Sequence, residues 1–322
     1  MRVLGLQGSP RRNGNSQYLL SAFMEEAEKM GAQTHTVLVD KQNILPCKEY
    51  IVCEKKGYCP IEDDMKEYIY SLIRWADVIV AASPVFFFNV TAQLKALIDR
   101  CQTFWARKYR LKLRDPNAKM RRGCMIAVGA TRGKKLFDGV QLTAKYFFDA
   151  VDARFDESLL YPGIEKYGEM AAHPSALDDV KACSSRLFEP FRNRKKVLFA
   201  CRENACRSRM AWAFALDMAA DKVEAYCGGS EPAKEINPQM VSVMAEKGID
   251  MAFQSPQSIE AALREGAPDL IVTMGCGEAC PVIPGAKHQE WELPDPAGKN
   301  MDFMRGVRDE IQKRVADLIG SL

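Results

Sequence analysis

Short apolar runs alternate with amphipathic stretches along nearly the whole chain, and this alternation limits the fold more than any other feature. Strands are expected at 2–7, 34–39, 77–82 and 123–128. Helices are expected at 17–30, 63–75, 90–102, 136–151 and 174–191. In the first helix Leu19, Leu20, Phe23 and Ala27 share one face. Such β–α alternation predicts an α/β fold with a doubly wound parallel sheet and ligands at the carboxyl ends of its strands. The pattern then restarts. Strands at 197–200, 223–227 and 269–274 alternate with helices at 210–216, 237–247 and 302–319. A chain of 322 residues suits two such domains. They are expected at 1–192 and 195–322, joined by the short basic run Arg192-Asn193-Arg194-Lys195-Lys196, which reads as a solvated face.

Composition narrows the function. Hydrophobic residues make up 47% of the chain and charged ones 27%, and the net charge of +3 is too small to argue for nucleic acid. No apolar run reaches membrane length, and the first residues read as a strand rather than a signal peptide, so a cytoplasmic protein is expected. Eleven cysteines is an odd number in a chain large enough to build its own core. That argues against a disulfide framework and for redox or metal chemistry.

The chemistry concentrates in Cys201-Arg202-Glu203-Asn204-Ala205-Cys206-Arg207-Ser208, between an apolar strand and a helix. The first amides of a helix lack intrahelical partners and carry the positive end of the dipole, so the loop makes an anion cradle. Five residues separate Cys201 from Arg207, which lets the guanidinium fold over a tetrahedral oxyanion above the sulfur and bind two oxygens at once. The same donors favour the thiolate, the nucleophilic form. Asn204 tolerates a left-handed turn, and Ser208 follows the arginine.

In the first half, Gly8-Ser9-Pro10-Arg11 with Asn15-Ser16, then Ala82-Ser83-Pro84-Val85-Phe86-Phe87-Phe88-Asn89 and Leu94-Lys95-Ala96-Leu97-Ile98-Asp99-Arg100, resemble the NADPH-dependent FMN reductase and iron–sulfur flavoprotein family over residues 1–190. The resemblance implies a flavodoxin-like fold, FMN as cofactor, NAD(P)H as electron donor and a homo-oligomer. It implies that Ser9, Arg11, Asn15 and Ser16 hold the FMN phosphate. Pro84, Val85, Phe86, Phe87 and Asn89 would border the flavin ring, with Gly129, Ala130 and Thr131 on the next loop. The alternative for Phe86-Phe87-Phe88 is core packing. The stretch 165–169 mixes both charge signs and reads as a plain polar loop. Cys47, Cys53 and Cys59 resemble the cluster ligands of iron–sulfur flavoproteins, but Tyr50 stands where another cysteine would be. An iron–sulfur cluster is therefore not expected, since a cubane wants four thiolates. Exchange of electrons between two of these thiols and the flavin is the other reading.

In the second half, Cys201 to Ser208, Glu235-Ile236-Asn237-Pro238, Gly248-Ile249-Asp250, Thr273-Met274-Gly275-Cys276 with Cys280-Pro281, and Asp295-Pro296 resemble arsenate reductases of the low-molecular-weight protein tyrosine phosphatase fold. The resemblance implies a second α/β domain of that type and a thiol relay. Cys201 attacks arsenic under Arg207, with Asn204 and Ser208 in the loop, and Asp295 protonates the leaving oxygen. Cys276 attacks Cys201, and Cys280 carries the disulfide outward. Electrons return from the flavin domain or from thioredoxin. The alternative is a phosphatase that takes a phosphate oxyanion and leaves Cys276 and Cys280 idle. No metal ligand set is expected, with only three histidines in the chain, and Cys227 reads as packing.

Overall fold

The computed structural model describes residues 1–264, 266–275 and 283–322. It divides into two compact units, Met1–Lys112 with Met120–Pro190, and Leu113–Lys119 with Phe191–Leu322.

The first unit runs β1 (Arg2–Gln7), α1 (Asn15–Lys29), β2 (Gln33–Leu38), α2 (Val52–Lys56), α3 (Tyr70–Trp75), β3 (Val78–Pro84), α4 (Ala92–Arg100), α5 (Gln102–Tyr109), β4 (Arg122–Gly129), α6 (Asp138–Ala150), β5 (Arg154–Pro162) and α7 (Ala176–Phe188). All strand pairs are parallel, in the order β2-β1-β3-β4-β5. Strands β1 and β4 are buried along their whole length, which is why they read as unbroken apolar runs. Leu19, Leu20, Phe23 and Ala27 of α1 are all buried, and Phe23 meets Phe188 of α7 edge-on at 5.4 Å. Each such aromatic contributes about 1.5–3 kcal/mol by burial. The chain leaves β1 towards β2 on one side and β3 lies on the other, so the two loops that follow β1 and β3 flank the point where the strand order reverses.

Strand β5 is absent from the sequence expectation. It is an edge strand, and Arg154, Asp156 and Glu157 break its apolar pattern. Charged side chains there discourage pairing with a further strand.

The second unit runs β6 (Lys195–Cys201), α8 (Arg207–Ala219), β7 (Val223–Gly229), α9 (Pro238–Glu246), α10 (Ile259–Arg264), β8 (Leu270–Met274), β9 (Lys287–Glu290) and α11 (Met301–Gly320). Its parallel sheet has the order β7-β6-β8-β9. Helix α8 is buried on nearly every side, as expected of a helix apolar all round, and Trp212 donates to the Ala225 carbonyl at 3.1 Å. Strand β9 is exposed throughout and carries no apolar signal, so the sequence reading passes over it.

The basic run at the junction is solvated at Arg192, Asn193 and Lys195, which are exposed, but not at Arg194. Lys195 and Lys196 open β6 and pair with Val223 and Glu224. Arg194 is 6% exposed, lies 4.8 Å from the centre of the Phe191 ring and comes within 3.9 Å of Glu224. Within this unit the Arg114 amide donates to the Gly248 carbonyl, the Asp250 amide donates to the Arg114 carbonyl, both at 2.8 Å, and the Arg114 guanidinium meets Asp217 at 2.8 Å.

Candidate functional site

Strand β6 ends at Cys201, paired with Gly229 on one side and Met274 on the other. The following loop is turned inside out by its neighbours. The carbonyls of Cys201, Arg202, Glu203 and Ala205 accept from the amides of Ser230, Glu231, Ala233 and Asn237 at 2.8–3.2 Å. In a planar trans peptide the N–H points opposite to the C=O. The loop's own amides therefore face the other way, into a concave ring suited to an anion. Gly229 has to be glycine, because a Cβ there would lie 2.6 Å from the Arg202 carbonyl oxygen and 2.9 Å from the Asn204 nitrogen.

Asn204 sits at φ 50, the left-handed region that asparagine tolerates. Its amide donates to Cys201 Sγ at 3.3 Å. Its Oδ1 accepts from the Gln257 amide at 3.0 Å, which fixes the side chain so that Nδ2 donates to Ser208 Oγ at 2.8 Å. Ser208 Oγ lies 3.0 Å from Cys201 Sγ. Asn204 occupies one of the two lone pairs of the Ser208 oxygen, and a thiolate at Cys201 would accept the hydroxyl proton in a hydrogen bond. Two donors thus converge on Sγ, the arrangement a thiolate accepts. Cys201 is 2% exposed.

Arg207, the first residue of α8, is buried. Its Nη1 donates to the Leu293 carbonyl at 3.4 Å, and Nη2 lies 3.7 Å from Asp295 Oδ2. A Cβ on Gly275, at φ +73, would come 3.1 Å from Nη1, so glycine leaves room for the guanidinium. The Asp295 side chain is 63% exposed, and its Oδ1 accepts from the Ala297 amide at 3.1 Å. The structure brings together Cys201, Asn204, Ser208, Arg207 and Asp295. Cys276 and Cys280 lie outside the described residues. Cys206 is a missed neighbour. Its thiol is pushed up to about 12 by burial and then by Cys201, and it lies 3.4 Å from Met304 Sδ.

The second site is at the strand-order reversal of the first unit. The Gly8 amide donates to the Ala82 carbonyl at 2.8 Å, and Thr91 Oγ1 donates to the Gly8 carbonyl at 2.6 Å. A Cβ on Gly8 would lie 2.8 Å from Leu94 Cβ, so the two loops close only over glycine. Between them is a cleft of about 190 Å³. Ser9, Arg11, Asn15, Ser16, Pro84, Val85, Phe86 and Ala130 of the expected set line it.

Other expected residues serve elsewhere. Gly129 closes β4 and packs against Leu136. The Thr131 carbonyl accepts from the Gly163 amide at 3.0 Å. Asn89 Oδ1 accepts from the Val90 amide at 2.8 Å and the Thr143 hydroxyl at 3.0 Å. Phe87 points into solvent, 103% exposed. Core packing of Phe86-Phe87-Phe88 is excluded, because all three are exposed. The Phe86 and Asn89 backbones exchange hydrogen bonds at 2.8 and 3.0 Å, which puts Phe87 (φ 48) and Phe88 (φ 62) at the centre of a two-residue turn. Asn-Gly is the usual pair where both φ values are positive.

The 165–169 stretch is more than a polar loop. Ile164, Glu165 and Tyr167 wall the cleft. Asn15 pins this wall by donating to the Lys166 carbonyl at 2.8 Å and accepting from the Met170 amide at 3.1 Å. The mixed charges hid this role, whereas Tyr167 in a polar loop was the one signal of it.

A reversed-order parallel sheet with a polar cleft, joined to a second sheet that holds a cysteine in an amide ring, defines a two-domain α/β oxidoreductase. Residues 1–139 match the model of the NADPH-dependent FMN reductase family. Residues 196–322 match that of the low molecular weight phosphotyrosine protein phosphatase family. The chain belongs to the arsenate-reductase-like branch of that phosphatase family, carried behind an FMN reductase domain. It is 36% identical over 129 residues to a putative arsenate reductase of Halobacterium salinarum, covering 38% of this chain and 89% of that protein. It is 33% identical over 130 residues to a glutaredoxin arsenate reductase of Synechocystis, covering 40% and 98%. It is also 36% identical over 132 residues to an iron–sulfur flavoprotein of Methanosarcina thermophila, covering 41% of this chain and 65% of that protein. The match thus spans less than two thirds of the flavoprotein's length.

The residues present fit a flavin mononucleotide. Ser9, Arg11 and Ser16 bring polar donors to the cleft, and Pro84, Val85 and Phe86 bring apolar surface. At about 190 Å³ the cleft is below the roughly 300 Å³ of the smallest usual ligand pockets, so the exposed turn at 86–88 is where a flat ring would rest. A four-thiolate iron–sulfur cubane does not fit its candidate site. Cys47, Cys53 and Cys59 line a cavity of about 510 Å³ together with Tyr50, which stands where the second of the four cysteines would be, so the loop offers three thiolates where a cubane takes four.

Proposed function

We propose that the chain reduces arsenate with Cys201 as nucleophile, and that its flavin-type domain supplies the two electrons from NAD(P)H. The observation behind this reading is the convergence of the Asn204 amide and the Ser208 hydroxyl on Cys201 Sγ, at 3.3 and 3.0 Å, inside a ring of outward-turned carbonyls. The ring's amides and Arg207 bind the oxyanion. Cys201 Sγ bonds to arsenic, and Asp295 protonates an oxygen that leaves as water. Cys276 then attacks Cys201, the sulfur–arsenic bond breaks with its electron pair on arsenic, and trivalent arsenic departs. Cys280 displaces Cys201 from that disulfide, leaving Cys276 joined to Cys280. FMN, when bound, supplies two-electron chemistry between NAD(P)H and that disulfide. The residues that would hold it are Ser9, Arg11, Ser16, Pro84, Val85 and Phe86, with Asn15 pinning the 165–169 wall.

The test is arsenite formation from arsenate by the purified chain with NAD(P)H and no thioredoxin. Cys276→Ser should abolish turnover. Turnover that survives the substitution refutes the relay, and turnover that needs added thioredoxin refutes the flavin as donor. Aryl phosphate hydrolysis independent of Cys276 and Cys280 would assign the chain to the phosphatases instead. A homo-oligomer in the cytoplasm belongs to the same proposal.

A further inference from the structure

The carbonyls of Cys201, Arg202, Glu203 and Ala205 are held outward by backbone amides. The carbonyl between them, that of Asn204, is held by a side chain instead. It accepts from Arg209 Nε at 3.3 Å. Arg209 is the third residue of α8, two beyond Arg207. Two residues turn a helix through about 200°, so the two guanidiniums leave α8 on opposite faces. Arg207 reaches Leu293 and Asp295, and Arg209 reaches the back of the loop.

The rest of the Arg209 fork grips one segment. Nη1 donates to Gln254 Oε1 at 3.1 Å, and Nη2 donates to the Ser255 carbonyl. That segment is itself fixed to β7. The Gln257 carbonyl accepts from the Gly229 amide at 2.9 Å, and Gln257 Nε2 donates to the Cys227 carbonyl at 2.9 Å. Asn204 is therefore held twice from one support, at its carbonyl by Arg209 and at Oδ1 by the Gln257 amide. Arg209 is 4% exposed. Its three partners are neutral oxygens, and among the described residues no carboxylate pairs with it. A buried cation without a counter-charge is costly. A thiolate or a bound oxyanion on the other side of the loop offsets that cost.

We infer that Arg209 is a positioning residue for the anion ring, which holds the Asn204 carbonyl outward and so aims the Ala205 amide at the oxyanion. The two groups share one peptide plane and point opposite ways. Without the guanidinium that plane is free to rotate, and a carbonyl turned into the ring would repel the anion that the amide attracts. The inference rests on the reading of Cys201 as a thiolate beneath an oxyanion, and it deepens that reading without depending on the fate of arsenic.

The experiment follows alkylation of Cys201 by iodoacetamide in the full chain, read by mass spectrometry across a range of pH, with inorganic phosphate as protecting anion. Arg209→Met keeps the length of the side chain and removes its donors and charge. Labelling at mildly acidic pH should fall about tenfold, as for loss of a hydrogen bond to a charged group, while labelling at alkaline pH stays nearly the same. The phosphate concentration that half-protects Cys201 should rise about tenfold. Arg209→Lys keeps the charge and one donor and should recover part of both losses. Glu203, Cys206, Arg207 and Asp295, the other charged or titratable neighbours of the loop, stand in every variant, so the difference reads Arg209. An unchanged profile overturns the inference. Faster labelling at every pH overturns it as well, since it would mean that Arg209 only keeps the loop closed. If Arg209→Met does not fold, Gln254→Met decides, because it cuts one bond of the fork and leaves α8 intact. A fall of about threefold at mildly acidic pH supports the inference, and none overturns it. No readout needs arsenate turnover, so failure of the proposed reaction and failure of this inference are separable.

Discussion

Phe87→Asn isolates the cost of the turn beside the flavin cleft. Phe87 holds φ 48 and Phe88 holds φ 62, where an L-residue other than glycine or asparagine pays roughly 1–2 kcal/mol. The Phe87 side chain is wholly in solvent, so its removal forfeits no burial within the chain. Asparagine bonds locally in this conformation and removes most of the penalty, with no added glycine freedom in the unfolded state. The net gain is about 1 kcal/mol, a rise in Tm of about 2–4 °C for a domain of this size. Thermal unfolding of the flavin-free protein, followed by circular dichroism, reads it directly. Flavin retention on gel filtration should move the other way, because strain kept at a site edge marks a residue held for its contacts with a ligand. A fall in Tm would refute the reasoning, since it would mean that Phe87 packs against something in solution and that this packing outweighs the backbone strain.

Arg207→Lys keeps the charge but loses the planar fork, and arsenate turnover should fall about 10²–10³-fold, as for loss of an oxyanion donor, while the far-ultraviolet spectrum stays unchanged. Glu246 accepts from Arg305 at 2.6 Å and Arg308 at 2.8 Å, which hold its carboxyl down to about 2. The stabilisation is present above the ordinary glutamate range and is lost as pH falls towards about 2. The Tm gap between the native chain and Glu246→Gln should therefore be open at neutral pH and close on acidification through that window. Brief alkylation at neutral pH, read by mass spectrometry, should label Cys47 well before Cys101, Cys124 or Cys183, and equal labelling would contradict the burial that separates them.

The fold was legible wherever burial was two-sided. Strands β1, β3, β4 and β6 are apolar runs because both faces are covered, and α1 shows its inner face in Leu19, Leu20, Phe23 and Ala27. Strands β5 and β9 sit at sheet edges, where exposed charge erases the pattern. The reactive loop was legible because Cys201, Asn204, Arg207 and Ser208 meet through local geometry. What escaped depended on partners distant in sequence. Asn15 was expected at a phosphate, yet it spends both side-chain groups on Lys166 and Met170, more than a hundred residues away. Arg194 reads as a linker charge until Phe191 and Glu224 enclose it.

Burial also sorts the eleven cysteines, whose number by itself argued for redox or metal chemistry. Cys101 is pushed far up by burial. Cys124 is raised by its contact with Cys183 at 3.8 Å and then by burial. Cys227 lies buried in β7. These four thiols fill core positions as small apolar groups do. Cys206 stays protonated beside Cys201, since its thiol is pushed up to about 12, so it adds no second thiolate to the anion ring. Among the described residues that leaves Cys201, where two donors meet one sulfur, and the three loop cysteines around an open cavity. A lone sulfur under an amide ring suits a tetrahedral anion.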